Sequence, residues 1–277
     1  MKKLTSFLAV AISLLFLALP SGAQTIISLQ FPNGGVPLYN NYSNSFAGQN
    51  LSAGVDPATY WNSDATGGNT VGYPTALSGP NATRFPNSAS LLNSNGVATG
   101  ITYTGVTDGN FNSSSNGFTS GTGDNLLFKA GSLVNYNSGG AANTYTFNGL
   151  NSSDSYDVIV YANELFSNAN GVKITLGSTT YYLDTASALT SYVQSTATTL
   201  VGATAANYVE FTGVTGSSTL TLSVNDATAN AAFTVPGIQL IDNGPVAAAP
   251  EPSTVWLGVF GFLGLAVHLR RKRLAQI

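Results

Sequence analysis

The pattern of apolar and polar positions is clearest in the second half of the chain, and it is a strand pattern. Leu220, Leu222 and Val224 alternate with Thr219, Thr221 and Ser223, the period of two that puts one set on a buried face and the other outside. Val172, Ile174 and Leu176 alternate in the same way with Lys173 and Thr175, and Gly177-Ser178 leads into Thr179 to Leu183, which predicts a hairpin. Tyr156 to Tyr161 is apolar at most positions on both faces, as expected of a strand central to its sheet. Thr144 to Phe147, Tyr208 to Phe211 and Gly237 to Ile241 complete the strand-sized blocks, with turns at Asn148-Gly149 and between Gly213 and Gly216.

The first half is less regular. Thr25 to Phe31 predicts an opening strand and Ala98 to Thr104 another. Between and after them, stretches rich in Asn, Gly and Ser, such as 62–72 and 108–124, predict binding loops or excursions from the core. No stretch between the two termini carries a helical period of 3.6, and no repeat of fixed length is present. Short strands separated by Gly and Asn turns predict an all-β domain, an antiparallel two-sheet sandwich.

Both ends depart from this pattern. Lys2 and Lys3 precede an almost wholly apolar run from Leu4 to Leu19, and Pro20 and the small residues Ser21-Gly22-Ala23 follow. That order predicts a secretory signal over residues 1–23, cut by signal peptidase between Ala23 and Gln24. A retained N-terminal helix is the alternative. At the other end Pro250-Glu251-Pro252 precedes a stretch from Ser253 to Leu269, 17 residues long, and then Arg270, Arg271, Lys272 and Arg273. A spanning helix needs about 20 apolar residues, with roughly 17 as the lower limit. Each cation costs roughly 2.5–3.5 kcal/mol at the bilayer centre, so the four act as a cytoplasmic stop and leave the body of the chain outside. The expected organisation is a signal over 1–23, an ectodomain over 24–242, a linker with the Pro-Glu-Pro triplet over 243–252, a transmembrane helix over 253–269 and a basic tail over 270–277.

A Pro-Glu-Pro triplet, a short apolar helix and an Arg-rich end in this order resemble the PEP-CTERM sorting tail. The resemblance covers residues 250–273 and implies an exported bacterial surface or exopolysaccharide-matrix protein processed by exosortase, a membrane cysteine transpeptidase, near Pro250, Glu251 and Pro252. A plain single-pass anchor is the alternative. Prolines on both sides of Glu251 favour an extended backbone that a peptidase can bind.

Charge changes the picture of the middle. Residues 24–249 hold three cations, Arg84, Lys129 and Lys173, against eleven acids, a net of −8 that the overall −3 conceals. Such a surface argues against nucleic acid and against docking on anionic lipid. Cysteine is absent, and the only histidine, His268, lies in the tail. The expectation is a non-enzyme: Ser-His-Asp and Cys-His catalysis and the usual zinc, copper and haem sites lack their residues in this segment.

The order of blocks from 144 to 242 is similar to jelly-roll domains of the galactose-binding and carbohydrate-binding-module type, and that resemblance implies a final strand returning beside the first. No ligand contact carries over from that resemblance, but it implies a structural calcium. Asp154, Asp157, Asp226 and Asp242 beside turns are the candidate ligands, although no Asp-x-Asp-x-Asp spacing is present and Asp is also a turn former in its own right. No other cofactor is expected. For a polysaccharide partner, Trp61 with Tyr60 in a polar loop is the candidate stacking platform, the alternative being a Trp that fills a gap at the edge of the sandwich. Tyr39, Tyr42 and Phe46 form a weaker candidate of the same kind. If the chain were instead a polysaccharide-active enzyme, Glu164, Asp184 and Glu210 are the acids nearest to strands, and two of them would have to face each other.

Overall fold

The computed structural model describes residues 24–31, 51–63, 90–106, 110–112, 117–134, 142–164, 171–185, 189–228 and 233–246, and three positions farther on, Gly261, Leu265 and His268. The chain divides into two compact units, Met1–Gly244 and Pro245–Ile277. In the second unit Gly261, Leu265 and His268 are helical and exposed. Among the described residues no helix is long and apolar enough to cross a membrane. The signal segment through Ala23, the Pro250–Pro252 triplet, Arg270 to Arg273, and Tyr39, Tyr42 and Phe46 lie outside the described residues.

The first unit is built from strands. In chain order they are β1 (Thr25–Gln30), β2 (Asn62–Ser63), β3 (Thr102–Val106), β4 (Asn110–Asn112), β5 (Ala130–Val134), β6 (Asn143–Asn148), β7 (Asp154–Tyr161) and β8 (Asn163–Glu164). They continue with β9 (Val172–Leu176), β10 (Thr179–Thr185), β11 (Ala205–Ala206), β12 (Tyr208–Thr215), β13 (Thr219–Asp226), β14 (Phe233–Val235) and β15 (Gly237–Pro245). They form a five-stranded sheet in the order β12-β7-β15-β1-β2, a six-stranded sheet β11-β10-β9-β13-β6-β3 and a four-stranded sheet β4-β5-β14-β8. The expected hairpin is present, with Thr179 opposite Leu176, and the last strand lies antiparallel to the first, with Ile241 opposite Ile26.

Alternation decides what meets in the middle. Tyr156, Val158 and Val160 of β7, Ile238 and Leu240 of β15, and Ile27 and Leu29 of β1 share one core with Tyr145 and Phe147 of β6, Leu220, Leu222 and Val224 of β13, and Val172 and Ile174 of β9. Each of these apolar chains contributes roughly 1.5–3 kcal/mol on leaving water.

Three features differ from the expected plain two-sheet antiparallel form. First, there is a third sheet. β8 follows β7 after Ala162 alone, and β14 precedes β15 across Pro236 alone, so two central strands each continue into the smaller sheet. Proline has no N–H for a ladder, and Pro236 instead accepts from the Phe31 N–H through its carbonyl, at 3.0 Å. Second, two short pairings are parallel, β1 with β2 and β10 with β11. Third, the stretch expected to be loop from 108 to 124 leads into a five-residue helix, α1 (Gly123–Leu127). Thr122 caps it, its hydroxyl accepting from the Asn125 N–H, and Asp124 sits in the first turn. A helix this short cannot display a 3.6-residue period.

Candidate functional site

The outward side chains of the five-stranded sheet follow from the same alternation: Asp157, Ile159 and Tyr161 on β7, Tyr208 and Glu210 on β12, Gln239 and Ile241 on β15, Ser28 and Ile26 on β1. Tyr208 pairs with Tyr161, Glu210 with Ile159, Gln239 with Ser28. An open sheet face would leave these in water. Instead Ile159, Tyr161, Gln239, Ile241 and Ser28 are buried. Residues from the 51–61 segment, α1 with its flanking Phe118 and Phe128, and Tyr192 cover them and form a second core. This second cover is why β7 is apolar on both faces.

Trp61 belongs to that cover. Its indole is 1% exposed, its N–H donates to the Ala58 carbonyl at 3.1 Å, and its ring centroid lies 6.3 Å from that of Tyr161. It lies against Gly237, where a Cβ would stand 3.0 Å from the indole and 2.7 Å from the Leu29 carbonyl. A buried indole has no face to offer a sugar, so in this structure Trp61 is the gap-filler and not the platform. Tyr60 beside it is half-buried, its ring near Gly96.

Under the cover lies a polar network. The Tyr161 hydroxyl accepts from the Val55 N–H at 2.7 Å and donates to Gln239 Oε1. The Gln239 amide donates in turn to Ser28 Oγ at 3.1 Å and to the Asp56 carbonyl at 2.7 Å. The Tyr192 hydroxyl donates to Asp124 Oδ1 at 2.6 Å and accepts from the Gly54 N–H at 2.9 Å. Gly54 adopts φ +104°, and a Cβ there would meet the Gln239 amide at 2.6 Å. Burial, the largest cause for each, pushes both phenols well above the ordinary tyrosine range, so they remain protonated donors. Sequence reasoning missed this network; Tyr192 and Gln239 gave no sign beyond lying near strand blocks.

Asp157 and Glu210 on this face and Asp56 of the covering segment are half-buried acids whose charges act on one another. Burial raises the Glu210 carboxyl above its ordinary value, and the charges of Asp157 and Asp56 raise it further. Burial and the Asp157 charge raise Asp56. Asp157 Oδ1 accepts from the Gly213 N–H at 2.7 Å, and Glu210 Oε2 from the Gln194 amide at 3.3 Å. The period of two was the available signal: Asp157 lies on the same face as Ile159, the residue opposite Glu210.

The three acids expected near strands are not brought together. Glu164 is on β8, Asp184 on β10 and Glu210 on β12, each in a different sheet. The calcium candidates are likewise dispersed. Asp154 and Asp157 point to opposite faces of β7, and Asp226 accepts from the N–H and hydroxyl of Thr228 as a turn former. Only Asp154 and Asp242 are neighbours; burial raises Asp242 first, the Gly244 N–H bond lowers it, and the Asp154 charge raises it. Among the described residues no group of three or more His, Cys, Asp or Glu is placed to hold a metal.

The acid trio sets a pH dependence. With Asp56 and Glu210 raised in the fold, the native state holds more protons than the unfolded chain just above the ordinary carboxylate range. Stability should therefore fall as pH rises through that window and level off above it. Glu210→Gln should flatten this slope and raise stability at pH 7 by only a few tenths of a kcal/mol, because solvent screens a group this exposed. Thermal unfolding of the two proteins from pH 3.5 to 8 measures both effects.

No family model, no curated protein and no solved structure matches the chain.

Proposed function

We propose that the chain is an exported, non-catalytic cell-surface or extracellular-matrix protein, delivered through a PEP-CTERM tail and carrying a jelly-roll-like β ectodomain of structural, adhesive or glycan-binding role. The observation that carries this reading is the tail itself: Pro250-Glu251-Pro252, the apolar stretch to Leu269, and Arg270-Arg271-Lys272-Arg273 in one uninterrupted order. The signal segment ahead of Gln24 supports export, with signal peptidase and exosortase as the processing partners. The pairing of the last strand with the first supports the jelly-roll-like arrangement. So does a segment 24–249 without His or Cys support a role other than nucleophilic or metal catalysis. A polysaccharide-active enzyme would need two carboxylates facing each other across a cleft.

Replacing Pro250, Glu251 and Pro252 together by alanine tests the sorting step. The variant should remain in the inner membrane with its tail attached, while the parent protein moves on to the envelope or matrix. A variant that fractionates as the parent does would remove the triplet from the sorting step.

A further inference from the structure

The six-stranded sheet has a notch. β9 ends at Leu176, opposite Leu222 of β13, so Thr219 to Thr221 run past the end of β9 while still pairing with β6. The facing sheet is irregular at the same place. β12 is its edge strand, and the register against β7 slips between Phe211 and Val214, a bulge that holds Thr212 and Gly213. Together with the Gly177-Ser178 turn these irregularities wall a groove of about 620 Å³. That is within the range of small-molecule sites, roughly 300–1,000 Å³.

Its lining is chemically specific. The half-buried Tyr181 ring lies in the groove, held against buried Phe211 at a centroid distance of 5.0 Å and a tilt of 50°. Thr179, Thr212 and Thr215 add hydroxyls to the lining, each able to donate and accept, whereas the Ser217 hydroxyl is bonded to the Thr219 backbone and that of Thr221 to Thr146. The lining carries no carboxylate, ammonium or guanidinium. An aromatic ring fits the apolar face of a pyranose, hydroxyls match its substituents, and the lack of charge selects a neutral ligand. The β12 bulge breaks the straight edge that an added peptide strand would need, which disfavours a peptide here.

We propose that this groove binds a neutral oligosaccharide, with Tyr181 as the stacking ring. The inference rests on the adhesive reading of the ectodomain and not on how the tail is processed. The test is calorimetric titration of the detergent-solubilised full chain with neutral gluco-, manno- and galacto-tetrasaccharides, with tetragalacturonate as the charged control and a threonine-rich peptide as the rival occupant. At least one neutral series should bind. Tyr181→Ala should weaken it about tenfold or more, and Tyr181→Phe, which keeps the ring, should change it little. Thr179→Arg, at an exposed rim position, should also block binding and does not disturb the core. Saccharide binding that both Tyr181→Ala and Thr179→Arg leave intact would overturn the groove and leave the adhesive reading standing. No binding of any saccharide, neutral or charged, and none of the peptide would overturn both. Preference for the uronate or the peptide would overturn the proposed ligand class.

Discussion

Trp61→Ala should destabilise the ectodomain by about 3–5 kcal/mol. Against a total stability of about 5–15 kcal/mol for a domain, that is a large loss. The indole is 1% exposed and packs among Tyr161, Leu127 and Ile241 in the second core. Glycine at 237 leaves the room it fills, since a Cβ there would approach the ring and the Leu29 carbonyl too closely. Truncation therefore leaves a cavity under the 51–61 segment and frees the Ala58 carbonyl of its indole partner. Urea denaturation should show a lower midpoint at unchanged slope. A Trp serving as an exposed platform would give a change within about 0.5 kcal/mol, and its loss would be felt in ligand binding instead.

Tyr161→Phe should cost about 1–3 kcal/mol, because one missing oxygen takes a partner from each of two groups, one of them fully buried. The half-buried Val55 N–H loses its acceptor, and the fully buried Gln239 Oε1 loses its donor. The ring contacts with Trp61, Phe128 and Tyr192 survive, so the loss is polar and not a matter of volume. The effect should be nearly constant between pH 5 and 9, since the phenol stays protonated throughout. Amide hydrogen exchange at Val55 gives the local readout: its protection should fall toward that of an open loop while β7 keeps its own.

Much of the strand framework was legible because it is local. The two-residue alternation of β13 needs only its own sequence, and the β9–β10 hairpin declares itself through Gly177-Ser178 between alternating runs. The double-sided apolar character of β7 correctly placed it inside a sheet, next to β12 and β15. What covers its outer face was not legible, because the covering residues come from segments distant in sequence. Trp61 shows the difficulty. It stands in an Asn-rich stretch that suggests exposure, yet the Asn62 amide donates to the carbonyls of Ser28 and Leu92 and its oxygen accepts from the Leu92 N–H. Here an asparagine acts as a piece of ladder between strands, and polarity marks pairing where it suggested solvent. The smaller sheet escaped notice for a related reason. Ala162 and Pro236 each separate two strands by a single residue, too little to announce that the chain passes into another sheet. The groove beside Tyr181 depends on the register at which β9 ends, which alternation alone does not fix.

Export with C-terminal processing is tested most directly by the intact mass of the mature, cell-associated protein. The mass should match a chain that begins at Gln24 and ends in the Pro250–Pro252 region, with or without a group added there. A mass that includes every residue through Ile277 would contradict it and leave a plain membrane anchor.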